Sequence, residues 1–204
     1  VDSGMESGTS RHLVVAKNRV FSDSGELAIS LWFSEHNTPR RIKLFGDHLG
    51  LATNKIDFNG GIYTTPEVND LIGSEWKHLV LVTSKNRHYL YLNGEEVGEG
   101  KFGGGNGVLG ANLDIVLGGM GNERINLDEV GFWSGSQFSS QEEIDDFASA
   151  LYNGGNGKFY LAEKNSEAGF DNKILDDYTK YLTAYWEFDK EGVGEDSVGN
   201  NDFV

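Results

Sequence analysis

The chain has 204 residues and a net charge of −15, from 17 Lys and Arg against 32 Asp and Glu, and it contains no cysteine. Because no run of basic residues offers a footprint for phosphates, the charge argues against a nucleic-acid partner, and without cysteine the fold cannot rely on disulfides. No segment approaches the roughly 20 apolar residues of a membrane span, so insertion into a membrane is not expected.

Short alternating or apolar segments predict an all-β fold from the N-terminal part onward, in a chain with 28 glycines but only 2 prolines. Residues 1–10 are small and polar and are expected to be loose or to complete a loop. Residues 12–16 are predicted to form a strand that belongs beside residues 27–33, whose alternation places four apolar side chains on one face. The next segments predict a meander of short strands, at residues 42–45, 49–53, 55–58 and 62–64.

Residues 76–94 are the most strongly patterned stretch and predict a β-hairpin. Residues 78–83 are almost all apolar, which suits a strand that is covered on both faces. Residues 88–92 alternate instead, so Tyr89 and Tyr91 share one face and the neighbouring leucines share the other.

The hairpin ends in Asn-Gly at residues 93–94, which both tolerate positive φ, so a tight turn should lead into a third strand from Val97. The glycine run at residues 103–107 is interpreted as a flexible loop. A phosphate-binding loop would open a helix and carry a lysine for the phosphates, and this run does neither. Strands are predicted again at residues 113–118 and 125–133.

One amphipathic helix is predicted after these strands. Ser140 stands three residues before Glu143, which is the spacing of a capping box. Apolar residues then recur at helical intervals up to an Asn-Gly-Gly stop, namely Ile144, Phe147, Ala148 and Leu151. We expect the apolar side of this helix to lie on the edge of the β-structure. A short helix is also considered for residues 174–180, and residues 182–188 alternate like a final strand.

Several separated pieces resemble the laminin-G-like module, a branch of the concanavalin A-like sandwiches that is common in bacterial surface proteins and in bacteriophage tail, neck and fibre proteins. The pieces are residues 27–33, the hairpin at 76–94, Leu-Asp-Glu-Val-Gly-Phe-Trp-Ser at 127–134, the helix and its glycine-rich end at 139–157, and Ala-Tyr-Trp-Glu-Phe-Asp at 184–189 with Asp-Ser-Val-Gly-Asn-Asn at 196–201. The resemblance implies an all-β fold, an antiparallel two-sheet β-sandwich of the jelly-roll type with one short α-helix.

The order of the pieces departs from that of the family. The Tyr-Trp-x-Phe-Asp strand and the Asp-Ser-x-Gly-Asn loop usually open such a module, and here they come last. Either the module is circularly permuted, or the chain is cut from a tandem array and ends with the start of the next copy. We favour the first explanation, in which residues 1–204 form a single domain, residues 182–204 supply the strand that usually opens the module, and residues 185–188 dock into the same sandwich.

Catalysis is not expected, although enzymes share this type of sandwich. Retaining glycosidases of this fold place two carboxyl groups on alternate residues of one strand, because the two groups must lie roughly 5 Å apart. Residues 143–146 are the closest string but lie in the predicted helix, and Asp128 and Glu129 are adjacent, so they should point to opposite faces of a strand. The five histidines show no metal-binding spacing: His12, His36, His48, His78 and His88. A sandwich glycosidase or lyase remains the less favoured alternative.

A structural calcium ion is expected at the loop that contains Asp196 and Asn200, because carboxylate and amide oxygens on a glycine-bent loop suit Ca²⁺. The resemblance adds Asp128 of the Leu-Asp-Glu-Val strand as a third ligand. In the alternative interpretation, Asp196 and Asn200 are ordinary turn-forming residues.

Four aromatic residues are candidates for contact with a sugar: Trp32, Tyr63, Tyr89 and Tyr91. Tyr89 and Tyr91 are the first choice for a surface platform because they share a face. The competing interpretation is that aromatic residues on the strands of a sandwich form its core.

The sequence therefore predicts a non-catalytic recognition module, carbohydrate-binding or adhesive, outside the cell on a virion or a bacterial surface. Its partner would be a glycan or a neighbouring surface or virion protein. The main alternative is a purely structural decoration or fibre module in a tandem or oligomeric assembly, held through strand edges or large interfaces.

Overall fold

The computed structural model describes residues 5–6, 13–15, 26–35, 42–44, 49–52, 55–58, 61–63, 74–84, 87–101, 115–117, 125–135, 138–155 and 172–188. The strands are β1 (Met5–Glu6), β2 (Leu13–Val15), β3 (Leu27–Glu35), β4 (Ile42–Leu44), β5 (Leu49–Ala52), β6 (Lys55–Phe58), β7 (Gly61–Tyr63), β8 (Lys77–Ser84), β9 (Arg87–Leu92), β10 (Glu95–Lys101), β11 (Ile115–Leu117), β12 (Ile125–Ser134) and β13 (Leu182–Trp186). The helices are α1 (Gln141–Tyr152) and α2 (Asn172–Thr179), and a 3₁₀ turn, Asn153–Gly155, follows α1.

The described strands form antiparallel sheets, as expected for a sandwich. The largest sheet has the order β1-β12-β3-β8-β9-β10, and β13 also pairs with β12. The predicted hairpin is confirmed as β8 and β9, and the predicted meander as the sheet β4-β5-β6-β7. Over the described ranges, no helix combines the length and the apolar character that a membrane crossing requires.

Two expectations for the N-terminal part are wrong. The strand β2 pairs with β11 rather than with β3, because β8 and β12 occupy the two edges of β3. The segment expected to be loose contains β1, which pairs with β12 through Met5↔Leu127 and Glu6↔Asn126.

The C-terminal strand β13 lies along the same side of β12 as β1. Its register runs from Trp133↔Leu182 to Val130↔Trp186, and β1 continues in the same direction from Leu127 to Asn126. Tyr185 and Trp186 are buried. The segment at residues 185–186 is thus part of the large sheet, whereas the assignment of residues 1–204 to one domain stays a prediction.

Alternation along the central strands gives the large sheet two apolar faces, as a strand of period two requires. On one face a core of buried side chains joins the sheet to α1, and we call it the helix-side core. Its sheet residues include Ala28, Val80, Val82, Tyr89, Tyr91 and Trp133, and its α1 residues are Ile144, Phe147, Ala148 and Leu151. The helix therefore packs on the face of the sheet, not on its edge as expected.

Local signals at both ends of α1 act as the sequence predicts. The side chain of Ser140 accepts a hydrogen bond from the backbone N–H of Glu143 at 3.2 Å. The Glu143 carboxylate accepts from the hydroxyl of Ser139 and from its backbone N–H, the latter at 2.7 Å. Hydrogen bonds from the Ser139 side chain and then from Tyr178 hold the pKa of Glu143 below its ordinary value. At the other end Asn153 has φ 47° and caps the helix through its backbone N–H to Ser149 O.

Candidate functional site

The two tyrosines expected to form a surface platform are buried. Tyr89 and Tyr91 are 7% and 1% exposed and lie in the helix-side core. The Tyr91 hydroxyl donates a hydrogen bond to Asp145 Oδ1 of α1 at 2.6 Å. Burial, together with this bond, raises the pKa of Tyr91 above its ordinary value. The expected exposure of these rings is therefore wrong, because α1 covers the face of the sheet that carries them.

The other two aromatic candidates, Trp32 and Tyr63, lie outside the helix-side core or outside the described side chains. Trp32 is 4% exposed and lies beneath another ring, as described below. Tyr63 belongs to β7, and its side chain lies outside the part of the chain that the structure describes. A ligand-binding role for Tyr63 stays a prediction.

An aromatic stack lies where the C-terminal end of α1 meets the sheet. Trp32 and His78 are cross-strand partners on β3 and β8, and their ring centroids are 4.9 Å apart. Tyr152, the last residue of α1, stacks on both rings, with centroids 5.8 Å from Trp32 and 6.0 Å from His78. Trp32 and His78 are buried, whereas Tyr152 is only half-buried. We call these three residues the Tyr152 stack.

The position of the Tyr152 ring depends on glycine in the neighbouring turn. A Cβ atom on Gly94 would lie 2.8 Å from Cδ1 of Tyr152, so only glycine lets the ring lie this close to the turn between β9 and β10. The ring stacks on Trp32 and His78, and the residue is half-buried. The arrangement holds an aromatic surface in a fixed place at the end of the sandwich.

The inner ring of the stack carries no charge near neutral pH. His78 Nε2 is 2.8 Å from Ser30 Oγ, and His78 Nδ1 is buried and has no hydrogen-bond partner among the residues that the structure describes. Burial lowers the pKa of His78 to about 3. A buried neutral imidazole beneath a tyrosine supports a flat apolar surface and is not placed for proton transfer to a ligand.

Sequence reasoning missed Tyr152. The helical spacing predicts Leu151 as the last buried position of the helix, and it predicts no contact for Tyr152. An aromatic residue one position after the last buried helical residue, just before Asn-Gly-Gly, is the one signal that could have drawn attention to it. That signal is weak because it does not say what the ring contacts.

Several acidic residues in the described ranges are bound to neighbouring side chains or buried. Asp145 accepts from Tyr91, and Glu143 accepts from Ser139. Asp128 and Glu129 were expected on opposite faces of a strand, but Glu129 has φ 50° at a bulge of β12 and both residues are buried. Within the described ranges, no three His, Asp or Glu side chains come close enough together to hold a metal ion.

Two of the three expected calcium ligands, Asp196 and Asn200, lie outside the described residues. The third, Asp128, is 2% exposed, and its Oδ1 accepts a hydrogen bond from the backbone N–H of Glu129 at 3.0 Å. Carboxylate oxygens are ligands that Ca²⁺ prefers in proteins, so the donor atoms of Asp128 suit the expected ion. The ion stays a prediction.

Comparison with known proteins identifies the fold. The family model Laminin_G_3, described as concanavalin A-like lectin/glucanases superfamily, matches residues 7–145. No curated protein matches the chain.

Similar solved structures include a protein from Bacteroides ovatus ATCC 8483 that has been proposed to bind carbohydrate, at a TM-score of 0.60 and 14% identity over 98% of this chain and 58% of that one. A sialidase from Trypanosoma rangeli matches at a TM-score of 0.50 and 14% identity, over 74% of this chain and 27% of the enzyme. Domains LG4-5 of the mouse laminin α1 chain match at a TM-score of 0.44 and 16% identity, over 64% and 41%. The chain thus spans well under two thirds of each of these structures.

Proposed function

This chain belongs to the Laminin_G_3 family of the concanavalin A-like lectin/glucanases superfamily, and on that premise we propose that it is a non-catalytic carbohydrate-binding module. We place it outside the cell, on a bacterial surface or a virion. The relative from Bacteroides ovatus, proposed to bind carbohydrate, supports the assignment of a binding role.

The observation that carries the proposal is the half-buried Tyr152 ring supported by two buried rings. Small-molecule sites combine aromatic surfaces with a few polar groups that fix orientation. A sugar ring has an apolar face of C–H groups that packs on an aromatic face, and hydroxyl groups at its rim that bond to amides. Tyr152 would supply the face, and the half-buried Asn93 lies in the adjacent turn beside Gly94, which is against the Tyr152 ring.

Assembly through strand edges is less well supported than glycan binding. The strand β10 ends the path of the large sheet and begins with two exposed carboxylates, Glu95 and Glu96. A bulge follows between Glu96 and Gly98. Charged side chains and bulges are devices that keep an edge strand from pairing with another chain.

The proposal is tested by applying the purified protein to an array of neutral and anionic glycans and measuring the affinity of each positive glycan by calorimetry. We expect saturable binding to neutral glycans without release of reducing sugar. An absence of binding together with concentration-dependent oligomers would favour a structural module. Release of reducing sugar would show that the chain is an enzyme.

We also propose the structural calcium ion held by Asp196, Asn200 and Asp128. A ligand that binds only the folded protein stabilises it by about 3 kcal/mol at a hundred times its dissociation constant. Calcium chloride should therefore raise the melting temperature by several degrees, EDTA should reverse the rise, and Asp128→Asn should abolish it. Magnesium chloride is the matched control for ionic strength. A melting temperature that is the same with calcium and with EDTA rules out the ion.

A further inference from the structure

Asn93 makes two hydrogen bonds to one residue of the neighbouring strand. It forms with Gly94 the turn between β9 and β10, with φ 53° and 80°. Its backbone N–H donates to His78 O at 2.8 Å, and its side-chain Oδ1 accepts from the backbone N–H of His78 at 3.0 Å. The side chain thus takes the place of a backbone carbonyl in the ladder between β8 and β9, where the chain turns into the left-handed region.

This pairing fixes the orientation of the Asn93 amide. Because Oδ1 faces His78 N, the amide nitrogen Nδ2 is directed away from the ladder, and the side chain is half-buried. An amide nitrogen can only donate hydrogen bonds. The chain therefore presents a donor of fixed direction beside the turn.

The donor lies next to the Tyr152 stack. Asn93 is bonded to the backbone of His78, whose ring belongs to the stack, and it precedes Gly94, which lies against the Tyr152 ring. The two residues after the turn, Glu95 and Glu96, are exposed carboxylates. Their charge disfavours an anionic ligand at this end of the sandwich.

We propose that Asn93 Nδ2 donates a hydrogen bond to an oxygen of a neutral sugar that packs on Tyr152, which makes Asn93 a residue that determines the specificity of the site. This inference rests on the proposed carbohydrate-binding function and adds a ligand class and a donor to it. The ligand is an uncharged oligosaccharide with a hydroxyl or ring oxygen near the edge of the stacked ring.

In the competing hypothesis, Asn93 only stabilises the turn and does not bind the sugar. The variant Asn93→Asp distinguishes between these two hypotheses. Aspartate tolerates the left-handed region and keeps an oxygen for His78 N, so the turn is retained. It replaces the donor Nδ2 with an acceptor. In the variant, a carboxylate oxygen instead of Nδ2 faces the sugar oxygen. The two oxygens repel each other, so the loss of binding free energy is larger than the loss of one hydrogen bond.

The experiment compares the wild-type protein with Asn93→Asp, using the neutral oligosaccharides that bind on the array, with cellotriose and xylotriose included. Asn153→Asp is the matched control, because it places the same charge next to Tyr152 at another asparagine with positive φ. We expect Asn93→Asp to lose at least about tenfold in affinity at an unchanged melting temperature, whereas Asn153→Asp stays within about threefold.

Unchanged affinity in Asn93→Asp would show that the residue serves only the turn. An equal loss in both variants would assign the effect to charge and overturn the hydrogen bond. If Asn93→Asp does not fold, the side-chain amide signals of Asn93 in NMR spectra of the wild-type protein decide the question, because ligand must shift them if Nδ2 donates. Failure of the wild-type protein to bind any neutral glycan would overturn the proposed function itself, a result distinct from the others.

Discussion

Replacing Tyr152 with alanine should weaken glycan binding by about thirtyfold. Truncation of an aromatic residue at the centre of a binding site costs about 2 kcal/mol or more, and 1.4 kcal/mol corresponds to a factor of about ten. Tyr152 is the outer ring of a stack whose inner rings are buried. Isothermal titration of the wild-type protein and the variant with the same oligosaccharide measures the loss.

Two further variants make this result specific. Tyr152→Phe keeps the ring and should retain most of the affinity, because packing on the ring face does not need the hydroxyl. Tyr181→Ala removes another half-buried tyrosine, which packs against the helix-side core. The centroid of the Tyr181 ring lies 4.9 Å from Lys180 Nζ. The Tyr181→Ala variant should lose comparable stability and no affinity. Equal binding by wild-type protein and Tyr152→Ala would place the ligand elsewhere on the chain.

The free energy of unfolding should fall as the pH is lowered from about 6.5 towards 3, and His78 should account for much of the fall. Its pKa is 6.5 when unperturbed and about 3 in the folded protein, because burial disfavours the charged ring. Above pH 6.5 the ring is neutral in both states. Below it, the unfolded chain binds a proton that the folded chain does not, so the free energy of unfolding decreases by about 1.4 kcal/mol per pH unit from this group.

Urea unfolding of the wild-type protein and His78→Phe at pH 7.5 and pH 4.5 checks this prediction. Phenylalanine keeps a ring in the stack but cannot bind a proton, so the variant should lose about 3 kcal/mol less than the wild-type protein between the two values. Effects of carboxylates such as Glu143 occur in both proteins and cancel in the comparison. The pKa of His88 is also lowered by burial, and His88→Gln controls for its share. Identical pH dependence of wild-type protein and His78→Phe would refute the assignment.

Features fixed by neighbouring residues could be predicted from the sequence. The capping of α1 by Ser140, the turn at Asn93 and Gly94, and the alternation of β9 all depend on residues a few positions apart. Each of these involves one backbone conformation with a strong local preference. The family resemblance supplied the sandwich that joins them.

The predictions that were wrong concern contacts between residues far apart in the sequence. Alternation showed that Tyr89 and Tyr91 share a face but could not show that a helix 54 residues later covers it, as the Tyr91–Asp145 hydrogen bond demonstrates. Likewise, the sequence pattern predicts that β2 is a strand but does not identify the strand with which it pairs. A three-residue strand carries too few side chains to specify a pairing partner. Tyr152 was missed for the same reason, since its contacts lie on β3 and β8.

The placement of β1 and β13 along one side of β12 has a mechanical consequence. Met5 and Trp186 pair with Leu127 and Val130, which are close together on the same strand. A pulling force applied through these two residues would therefore act on the edge of the sheet and peel β1 and β13 from β12 pair by pair. The β3–β8 ladder, which carries the aromatic stack, would bear little of that load. The proposed glycan site at Tyr152 would therefore stay intact while β1 and β13 are under tension.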